Sequence, residues 1–532
     1  MLIPYLVTAP AFKFLQLIGM ETCCNALLIF PRVFVTLLSF ITDLILFHIA
    51  SMLGFDANAC TMVYATSYVT MVYHTRTLSN TIESFLFVGL LCLVIKCCKR
   101  SVTTNAEIHP RSKLTIAKRL VQSPEVESDW YYAIGIGVLV MVGFFNRPTF
   151  LLFAFLPCFY WFTNGQLFFW RDPLTTALLT RRAICASASA IPVQWIFVLF
   201  DSIYYRDFDI SFTYGFFNTI KNFFVFTPLN FIWYNTDVVN LATHTLHPHY
   251  LHFAVNAQLL FGFLSIFAFA SFIRTLGNLK YLVPNHDYTW KIFLLYCYIL
   301  PLVFLSVFPH QEPRFLIPIL SPLALLYGHH LFGNLSSDVW QVFWVAFNIA
   351  MALFYGLLHQ GGMLNAINTV KYHHSNQAAN QLDLGMTQTH VIFYNTYMPP
   401  KHLFAIPEQE EIGTLFVHDM QGKTPLEVIS HTQKIFDYSQ RPQVFFVAPR
   451  TSEHKFCTNP ELTPVQRVQF QLLYQFAPHV STEDLPTWKA VRQALSERHM
   501  CTTCGVSRMC DNGMSRGLMG LFSLNLYHVT KK

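Results

Sequence analysis

Long apolar runs recur through residues 1–360 and limit the fold more than any other feature of the sequence. Each run is about 16–25 residues long, the length that a helix needs to cross the hydrocarbon core of a bilayer. Only helices and closed barrels satisfy every backbone group in lipid, and these runs are too long and too uniformly apolar for barrel strands. The sequence therefore predicts an all-α polytopic membrane domain with about ten spans. The candidate spans are residues 27–53, 57–74, 81–97, 130–145, 149–170, 183–203, 252–272, 290–308, 315–332 and 340–358, with 2–19 as an eleventh span or a luminal interfacial helix.

The composition agrees with a surface that faces lipid. Hydrophobic residues make up 53% of the 532 residues and charged residues only 12%, whereas soluble proteins carry about 25% charged residues. So few charges cannot cover a globular surface of this size in water. The net charge of +6 is small for the length and indicates no nucleic-acid partner.

Basic residues fix the expected orientation of the spans. They cluster in three loops, at Lys96, Lys99, Arg100, Arg111, Lys113, Lys118 and Arg119, then at Arg171, Arg181 and Arg182, and then at Arg274 and Lys280. All three loops fall on one side by parity, and the positive-inside rule makes that side cytosolic. The turns at 75–80 and 146–147, the loop 204–251, the segment 309–314 and everything after residue 358 are then luminal. The sequon at Asn334 is cytosolic and is expected to carry no glycan.

The amino-acid composition of the sequence changes after residue 360. Charged and polar residues become frequent, and short β-like runs occur at 390–394, 413–417 and 443–447, with a helical pattern at 425–438. We therefore predict a transmembrane domain at 1–360, followed at 361–532 by a linker, a small luminal α/β domain and a weakly patterned tail.

Three luminal segments carry polar and charged residues that are unusual beside apolar spans. They contain His310, Gln311, Glu312 and Arg314, then Arg76, Asn80 and Glu83, and then Asn146 and Arg147. Charges at span ends often only snorkel toward water. Three arginine-bearing turns on one face of a protein with so few charges favour binding of an anionic head group, since guanidinium groups bind phosphate well.

The histidine and cysteine clusters elsewhere in the sequence do not define a metal site. His244, His247, His249 and His252 lack the spacing of a zinc site, so the aromatic stretch around them suits a sugar or lipid head-group surface better than a metal. Cys501, Cys504 and Cys510, with Cys457 or His499, would fit either zinc or disulfides, and an oxidising lumen favours disulfides. The remaining nine cysteines, from Cys23 to Cys297, lie in or beside apolar stretches and are expected to pack as small apolar groups.

The sequence His310-Gln311-Glu312-Pro313-Arg314-Phe315 resembles the His-Lys/Gln-Glu-X-Arg-Phe signature of glycosyltransferase family 22. The segments 75–83, 145–149, 227–242 and 396–400 resemble the branch of that family that acts on glycosylphosphatidylinositol (GPI) precursors. Several separated motifs occur in the same order, from about residue 10 to about residue 450, so the resemblance is specific.

The resemblance implies a GT-C glycosyltransferase fold in the endoplasmic reticulum membrane. It implies dolichyl-phosphate-mannose as donor, a GPI glycolipid as acceptor, and addition of the fourth mannose in α-1,2 linkage. The residues present require no metal, and no cofactor is expected. Such a transfer inverts the anomeric carbon, because the donor linkage is β.

The resemblance also implies a catalytic aspartate in a luminal loop near the start of the protein. The first acidic residue here is Glu21 and the first aspartate is Asp43, inside a predicted span. We therefore expect an N-terminally shortened member of the family, and the catalytic residue stays unassigned. The alternatives are a family member with another acceptor, such as the third GPI mannose or an N-glycan precursor, and a catalytically inactive GT-C-like membrane protein.

Overall fold

A computed structural model describes residues 2–107, 124–163, 173–205, 224–237, 240, 247–277, 286–333, 337–380, 388–404, 415–439, 441–457, 468–488, 491–492, 495 and 518–531 of the chain. The chain divides into two compact units. The first comprises Met1–Ala11 and Pro31–Ile349, and the second comprises Phe12–Phe30 and Ala350–Lys532. The division at Ala350 lies close to the change in composition near residue 360, whereas the assignment of Phe12–Phe30 to the second unit has no signal in the sequence.

The first unit is built from apolar helices. In chain order the helices up to residue 353 are α1 (Leu2–Leu17), α2 (Cys24–Leu53), α3 (Ala57–Thr66), α4 (Ser79–Glu107), α5 (Pro124–Asn146), α6 (Phe150–Phe162), α7 (Pro173–Tyr205), α8 (Thr227–Thr236), α9 (Ala257–Phe261), α10 (Phe263–Gly277), α11 (His286–Ser306), α12 (Leu320–Leu331) and α13 (Asp338–Leu353). Between them lie π-helical turns at Val69–Tyr73 and His252–Asn256 and a 3-10 helix at Pro313–Ile319. Helices α1 and α2 contribute residues to both units.

Several of these helices are suited to a bilayer. Among the described residues, five helical segments are long and apolar enough to cross a membrane, namely Cys24–Leu53, Ser79–Lys99, Leu179–Tyr205, Thr289–Ser306 and Asp338–Leu358. Shorter apolar helices lie at Trp130–Asn146, Phe150–Phe162 and Phe263–Gly277. The prediction of a mainly helical, multi-pass membrane protein is confirmed.

Four predicted spans are not continuous α-helices: 57–74, 252–272 and 315–332 contain breaks, and 340–358 ends as the π-helix Phe354–Leu358. Helix α3 ends at Thr66, and the side-chain oxygen of Asn348 accepts a hydrogen bond of 2.7 Å from the backbone N–H of Tyr68 just beyond it. The second break is at Gly262, whose φ of +56° lies outside the helical region. The third span begins as a 3-10 helix that contains Pro318, because proline lacks the N–H that an α-helix needs there.

The second unit contains a mixed sheet. Its strands are β1 (Gln388–Phe393), β2 (Leu415–Asp419), β3 (Pro442–Pro449), β4 (Val468–Phe476) and β5 (Leu524–Lys531). They form a five-stranded sheet in the order β2-β1-β3-β5-β4. Strand β1 pairs in parallel with β2 and β3, whereas β5 lies antiparallel between β3 and β4. The helices of this unit are α14 (Met363–Asn380), α15 (Pro425–Tyr438), α16 (Glu453–Cys457) and α17 (Leu518–Leu521).

Apolar side chains cover both faces of this sheet. Ile367 of α14 belongs to the same buried cluster as Phe393 of β1, and Val428 of α15 belongs to the cluster of Ile392, the preceding residue of the strand. Successive side chains of a strand point to opposite faces, so α14 and α15 cover opposite sides. The predicted small C-terminal α/β domain is confirmed.

The described part of the chain tests only some of the remaining expectations. Strands β4 and β5 lie in the region for which the sequence predicted a weakly patterned tail. The nine cysteines from Cys23 to Cys297 are free thiols that are buried or half-buried, as expected for packing residues. Cys501, Cys504, Cys510 and the sequon at Asn334 lie outside the described residues.

Gly328 allows α12 to pack closely against α3. A Cβ atom at this position would lie 2.5 Å from the Cα of Cys60 and 2.7 Å from its backbone nitrogen. Backbone atoms cannot rotate away as a side chain can. Close helix contact through a small residue is the usual way in which membrane helices gain packing energy.

We predict that Gly328→Ala lowers the free energy of unfolding of the detergent-solubilised protein by about 1–3 kcal/mol, the usual cost of overpacking, and so lowers its thermal midpoint. Gly277→Ala is the matched control, since a Cβ there meets nothing within 4 Å. The measurement is the aggregation midpoint on heating. Equal midpoints for the two variants would contradict the close packing of α3 and α12.

Candidate functional site

The segment 309–315 places two basic side chains around one carboxylate. Glu312 accepts two contacts from Arg314, at 2.5 Å from Nε to Oε2 and at 2.8 Å from Nη2 to Oε1. The Nε2 atom of His310 lies 3.0 Å from Oε1 of Glu312. Bidentate contact fixes the plane of the guanidinium group, so Glu312 sets the direction in which Arg314 points.

Glu312 stays ionised in this arrangement. Burial alone would raise its pKa, but the hydrogen bond with His310 and the charge of Arg314 outweigh burial and lower the pKa to about 2. A carboxylate with a lowered pKa stabilises the fold above its ordinary pKa, and the contribution is lost as the pH falls toward 2. Glu312 is therefore poorly suited to accept a proton near neutral pH.

Gln311 connects two segments of the chain through its side-chain amide. It is 1% exposed, and its Oε1 accepts a hydrogen bond of 2.9 Å from the backbone N–H of His252. Its Nε2 lies within 3.2 Å of the carbonyl oxygens of His249, Ser306 and Phe308. The amide of Gln311 therefore holds the loop around residues 249–252 against the segment 309–315.

The turns before α4 and α6 form a buried polar cluster. Nε of Arg147 lies 3.8 Å from Oε2 of Glu83, and the two side chains are 11% and 1% exposed. Thr149 donates a hydrogen bond of 2.7 Å to Oε1 of Glu83, and Asn80 donates one of 3.3 Å to Oε2. Arg147 also donates to Ser79 Oγ at 3.2 Å. A buried ion pair needs such additional hydrogen bonds to offset its loss of hydration.

Asn146 connects the turn before α6 to the turn before α4 through a hydrogen bond. Its Nδ2 donates a hydrogen bond of 3.0 Å to the carbonyl oxygen of Ser79, at the first residue of α4. Arg147 is followed by Pro148, and a residue before proline disfavours the helical conformation. The chain therefore leaves α5, turns at Arg147 and enters α6 without a continuous helix.

Arg147 connects this buried cluster to the segment 309–315. Its guanidinium carbon lies 5.1 Å from the ring centroid of Phe315 and 5.8 Å from that of Phe231 in α8. Arg147 is also within electrostatic range of Glu312 and Arg314. Parts of all three predicted arginine-bearing turns therefore meet at one site, since Ser79 and Asn80 belong to the turn that contains Arg76.

Arg76 has a different environment. Its guanidinium carbon lies 5.6 Å from the ring centroid of Tyr73, and the residue is within electrostatic range of Arg32 in α2. Arg32 did not enter the sequence-based set, since a single basic residue in an apolar run carries no pattern.

Several residues of the site were not predicted from the sequence. Thr149, Ser79 and Phe315 complete the cluster around Arg147, and all three lie inside the quoted motifs, so their position beside predicted residues was the available signal. His252 and Asn256 were missed as a pair. Their separation of four residues places them on one helical face, and this spacing was the available signal in the sequence.

The exposure of the charged groups differs across the site. Arg314 is 43% exposed in its side chain and His310 is 20% exposed, whereas Arg147 and Glu83 are almost fully buried. The accessible guanidinium and imidazole groups can bind an anionic oxygen, while the buried pair supports Phe315, the residue next to Arg314. Among the described residues no group of three His, Cys, Asp or Glu side chains could hold a metal ion.

The sequence matches the Alg9-like mannosyltransferase family over residues 1–406. It is 35% identical to human GPI alpha-1,2-mannosyltransferase 4, across 89% of this chain and 77% of the relative. It is 27% identical to GPI mannosyltransferase 4 of Drosophila melanogaster, across 90% and 75% of the two chains. Among solved structures, ArnT from Cupriavidus metallidurans aligns with a TM-score of 0.39 and 11% identity over 87% of this chain and 85% of that one. At that distance the structural likeness adds nothing to the geometry described above.

We predict that Glu83→Leu destabilises the protein by about 3–5 kcal/mol, because it leaves a buried guanidinium without its counter-charge. Leucine keeps most of the side-chain volume but accepts no hydrogen bond from Arg147, Thr149 or Asn80. The measurement is the thermal midpoint in detergent. The control is Asp437→Asn, which breaks an exposed pair with Lys531 (2.7 Å, side chains 53% and 54% exposed). A change no larger than the control's would show that the buried cluster does not support the fold.

Proposed function

Because the chain belongs to the Alg9-like mannosyltransferase family, we propose that it transfers mannose from dolichyl-phosphate-mannose to a GPI precursor. The acceptor position is the one that receives the fourth mannose, in α-1,2 linkage. The matched region contains every residue of the candidate site. The names of the human and Drosophila relatives support a GPI acceptor, and the human name supports the linkage.

One observation carries the site assignment. Glu312 orients the partly exposed Arg314 and His310, and Phe315 beside them rests on the buried Arg147. A lipid-linked sugar phosphate offers oxygen atoms that a guanidinium group binds with defined geometry. Arg314 and Arg147 are therefore the cationic side of the proposed donor site, and His310 lies beside Arg314 on the same carboxylate. Gln311, Asn80, Glu83 and Asn146 hold these residues in place, and Arg76 is a further arginine on the predicted luminal side.

The proposed reaction is a single direct displacement. The acceptor hydroxyl oxygen attacks the anomeric carbon of mannose from the face opposite the phosphate, and the bond from that carbon to the phosphate oxygen breaks. The electron pair stays on the leaving dolichyl phosphate, where Arg314 and His310 stabilise the added negative charge. A base accepts the hydroxyl proton. Glu312 is a positioning residue in this scheme because its carboxylate already holds two basic groups.

The proposed location is the endoplasmic reticulum membrane, with the site and the C-terminal domain in the lumen. The basic residues at the end of α4, between α6 and the first turns of α7, and at the end of α10 support a cytosolic position for the opposite ends of these helices by the positive-inside rule. The membrane supplies both lipid substrates, and the proposed reaction needs no cofactor.

We predict that Arg314→Ala lowers mannose transfer by about 10²–10³-fold, the loss typical of removing one charge-stabilising contact. The protein amount stays unchanged because the side chain is 43% exposed. The assay follows labelled mannose from dolichyl-phosphate-mannose into GPI lipids and identifies the product by glycan analysis. Arg274→Ala, an exposed arginine at the end of α10, is the control.

The same assay separates the other candidate functions. Transfer that is unchanged in Arg314→Ala rejects the site. A product with a third GPI mannose or an extended N-glycan precursor rejects the acceptor, and a protein without transfer to any of these lipids is an inactive relative.

We also predict that Thr77→Cys and Val307→Cys react with a membrane-impermeant maleimide only after sealed microsomes are opened. Both positions are exposed and lie beside the proposed site. Leu276→Cys, at the far end of α10, is expected to react in sealed microsomes from the cytosolic side. Labelling of Thr77→Cys and Val307→Cys from opposite sides would separate the arginine-bearing turns and exclude a common donor site.

A further inference from the structure

Hydrogen bonds from its backbone N–H groups connect the segment that contains His252 to the candidate site. The N–H of His247 donates a hydrogen bond of 2.8 Å to the carbonyl oxygen of Pro309, and the N–H of His252 donates one of 2.9 Å to the side chain of Gln311. These bonds connect residues that lie about sixty positions apart in sequence and fix His252 relative to His310.

The side chain of His252 is held in one tautomer. His252 is completely buried, and Nδ2 of Asn256 lies 3.0 Å from its Nδ1. An amide nitrogen only donates, so Nδ1 of His252 must be the acceptor and cannot carry a proton. The ring is therefore neutral, with its proton on Nε2.

This Nε2–H has no hydrogen-bond acceptor among the described residues. Buried donors in native proteins nearly always have a partner, in the protein, in ordered water or in a ligand. The imidazole of His252 interacts electrostatically with the rings of His247 and His310. The ring centroids of His247 and His310 lie 6.5 Å apart, with an angle of 27° between the ring planes. The unpaired donor thus belongs to a group of three interacting imidazoles, one of which, His310, contacts Glu312.

We infer that Nε2–H of His252 donates a hydrogen bond to a phosphate oxygen of the lipid-linked sugar donor, and that Asn256 is the positioning residue that keeps the proton on that nitrogen. The inference rests on the proposed function and extends it. Arg314 and His310 bind the phosphate from its accessible side, and His252 binds it from the buried side as a neutral donor. A neutral donor adds a directed hydrogen bond without placing a further positive charge near Arg314.

Asn256→Asp tests the tautomer directly. A carboxylate accepts only, so it draws the proton of His252 to Nδ1 and leaves a lone pair on Nε2 facing the phosphate. The shape of the side chain is almost unchanged. We expect transfer to fall by about 10²–10³-fold, as for loss of one oxyanion donor, with the protein amount and the elution profile in detergent unchanged.

The matched control is Gln258→Glu, the same exchange of amide for carboxylate two residues further on. Nε2 of Gln258 donates to the carbonyl oxygen of Phe253 at 3.0 Å and does not contact His252. We expect this variant to retain transfer within about threefold of the unchanged protein. Equal losses in Asn256→Asp and Gln258→Glu would mean that the segment has only a structural role, which overturns the inference.

Kinetic constants separate the two lipid substrates. With short-chain dolichyl-phosphate-mannose as the probe, Asn256→Asp is expected to raise KM for this donor or lower kcat, with the KM for the GPI acceptor unchanged. A change confined to the acceptor KM would assign His252 to a phosphate of the acceptor and overturn the donor assignment. His252→Gln is expected to retain more transfer than His252→Leu, because its amide can still donate.

Arg314→Ala is measured beside these variants. If Arg314→Ala loses transfer and Asn256→Asp keeps it, the inference fails while the proposed function holds. If Arg314→Ala also keeps transfer, the proposed donor site itself is wrong.

Discussion

The candidate site depends on a buried carboxylate–guanidinium pair, Glu83 with Arg147. Removing two charges from water costs several kcal/mol for each ion, so such a pair persists only where further hydrogen bonds complete it. Thr149 and Asn80 supply these bonds to the carboxylate, and Ser79 supplies one to the guanidinium. The ends of α4, α5 and α6 are thereby held together at one point.

The pair also determines what the exposed residues can do. Phe315 stacks on Arg147, and Glu312 holds both His310 and Arg314. The exposed side chains of the candidate site are therefore oriented by groups that are themselves largely buried. Such prior orientation lets a site stabilise developing charge without rearrangement during the reaction.

The sequence predicted the membrane helices, the small α/β domain and eight of the residues that the structure gathers near the site, since length, hydropathy and charge are properties of short segments. It did not predict that Gln311 is buried and bonded to backbone carbonyls, or that Arg76 lies beside Tyr73 and Arg32. It also did not predict breaks in three helices, because the break near Tyr68 involves Asn348, 280 residues away along the chain.

The sequence by itself determined that this chain is a helical membrane protein and which family it resembles, and it predicts by the positive-inside rule which side of the membrane the charged turns occupy. These follow from the cost of placing polar groups in lipid and from local motifs. Only the tertiary structure decided which polar residues are exposed and which are buried supports. A hydrogen bond such as that from Asn146 to Ser79 joins residues 67 positions apart. Burial and bonding of this kind depend on which segments meet, and no local pattern records that.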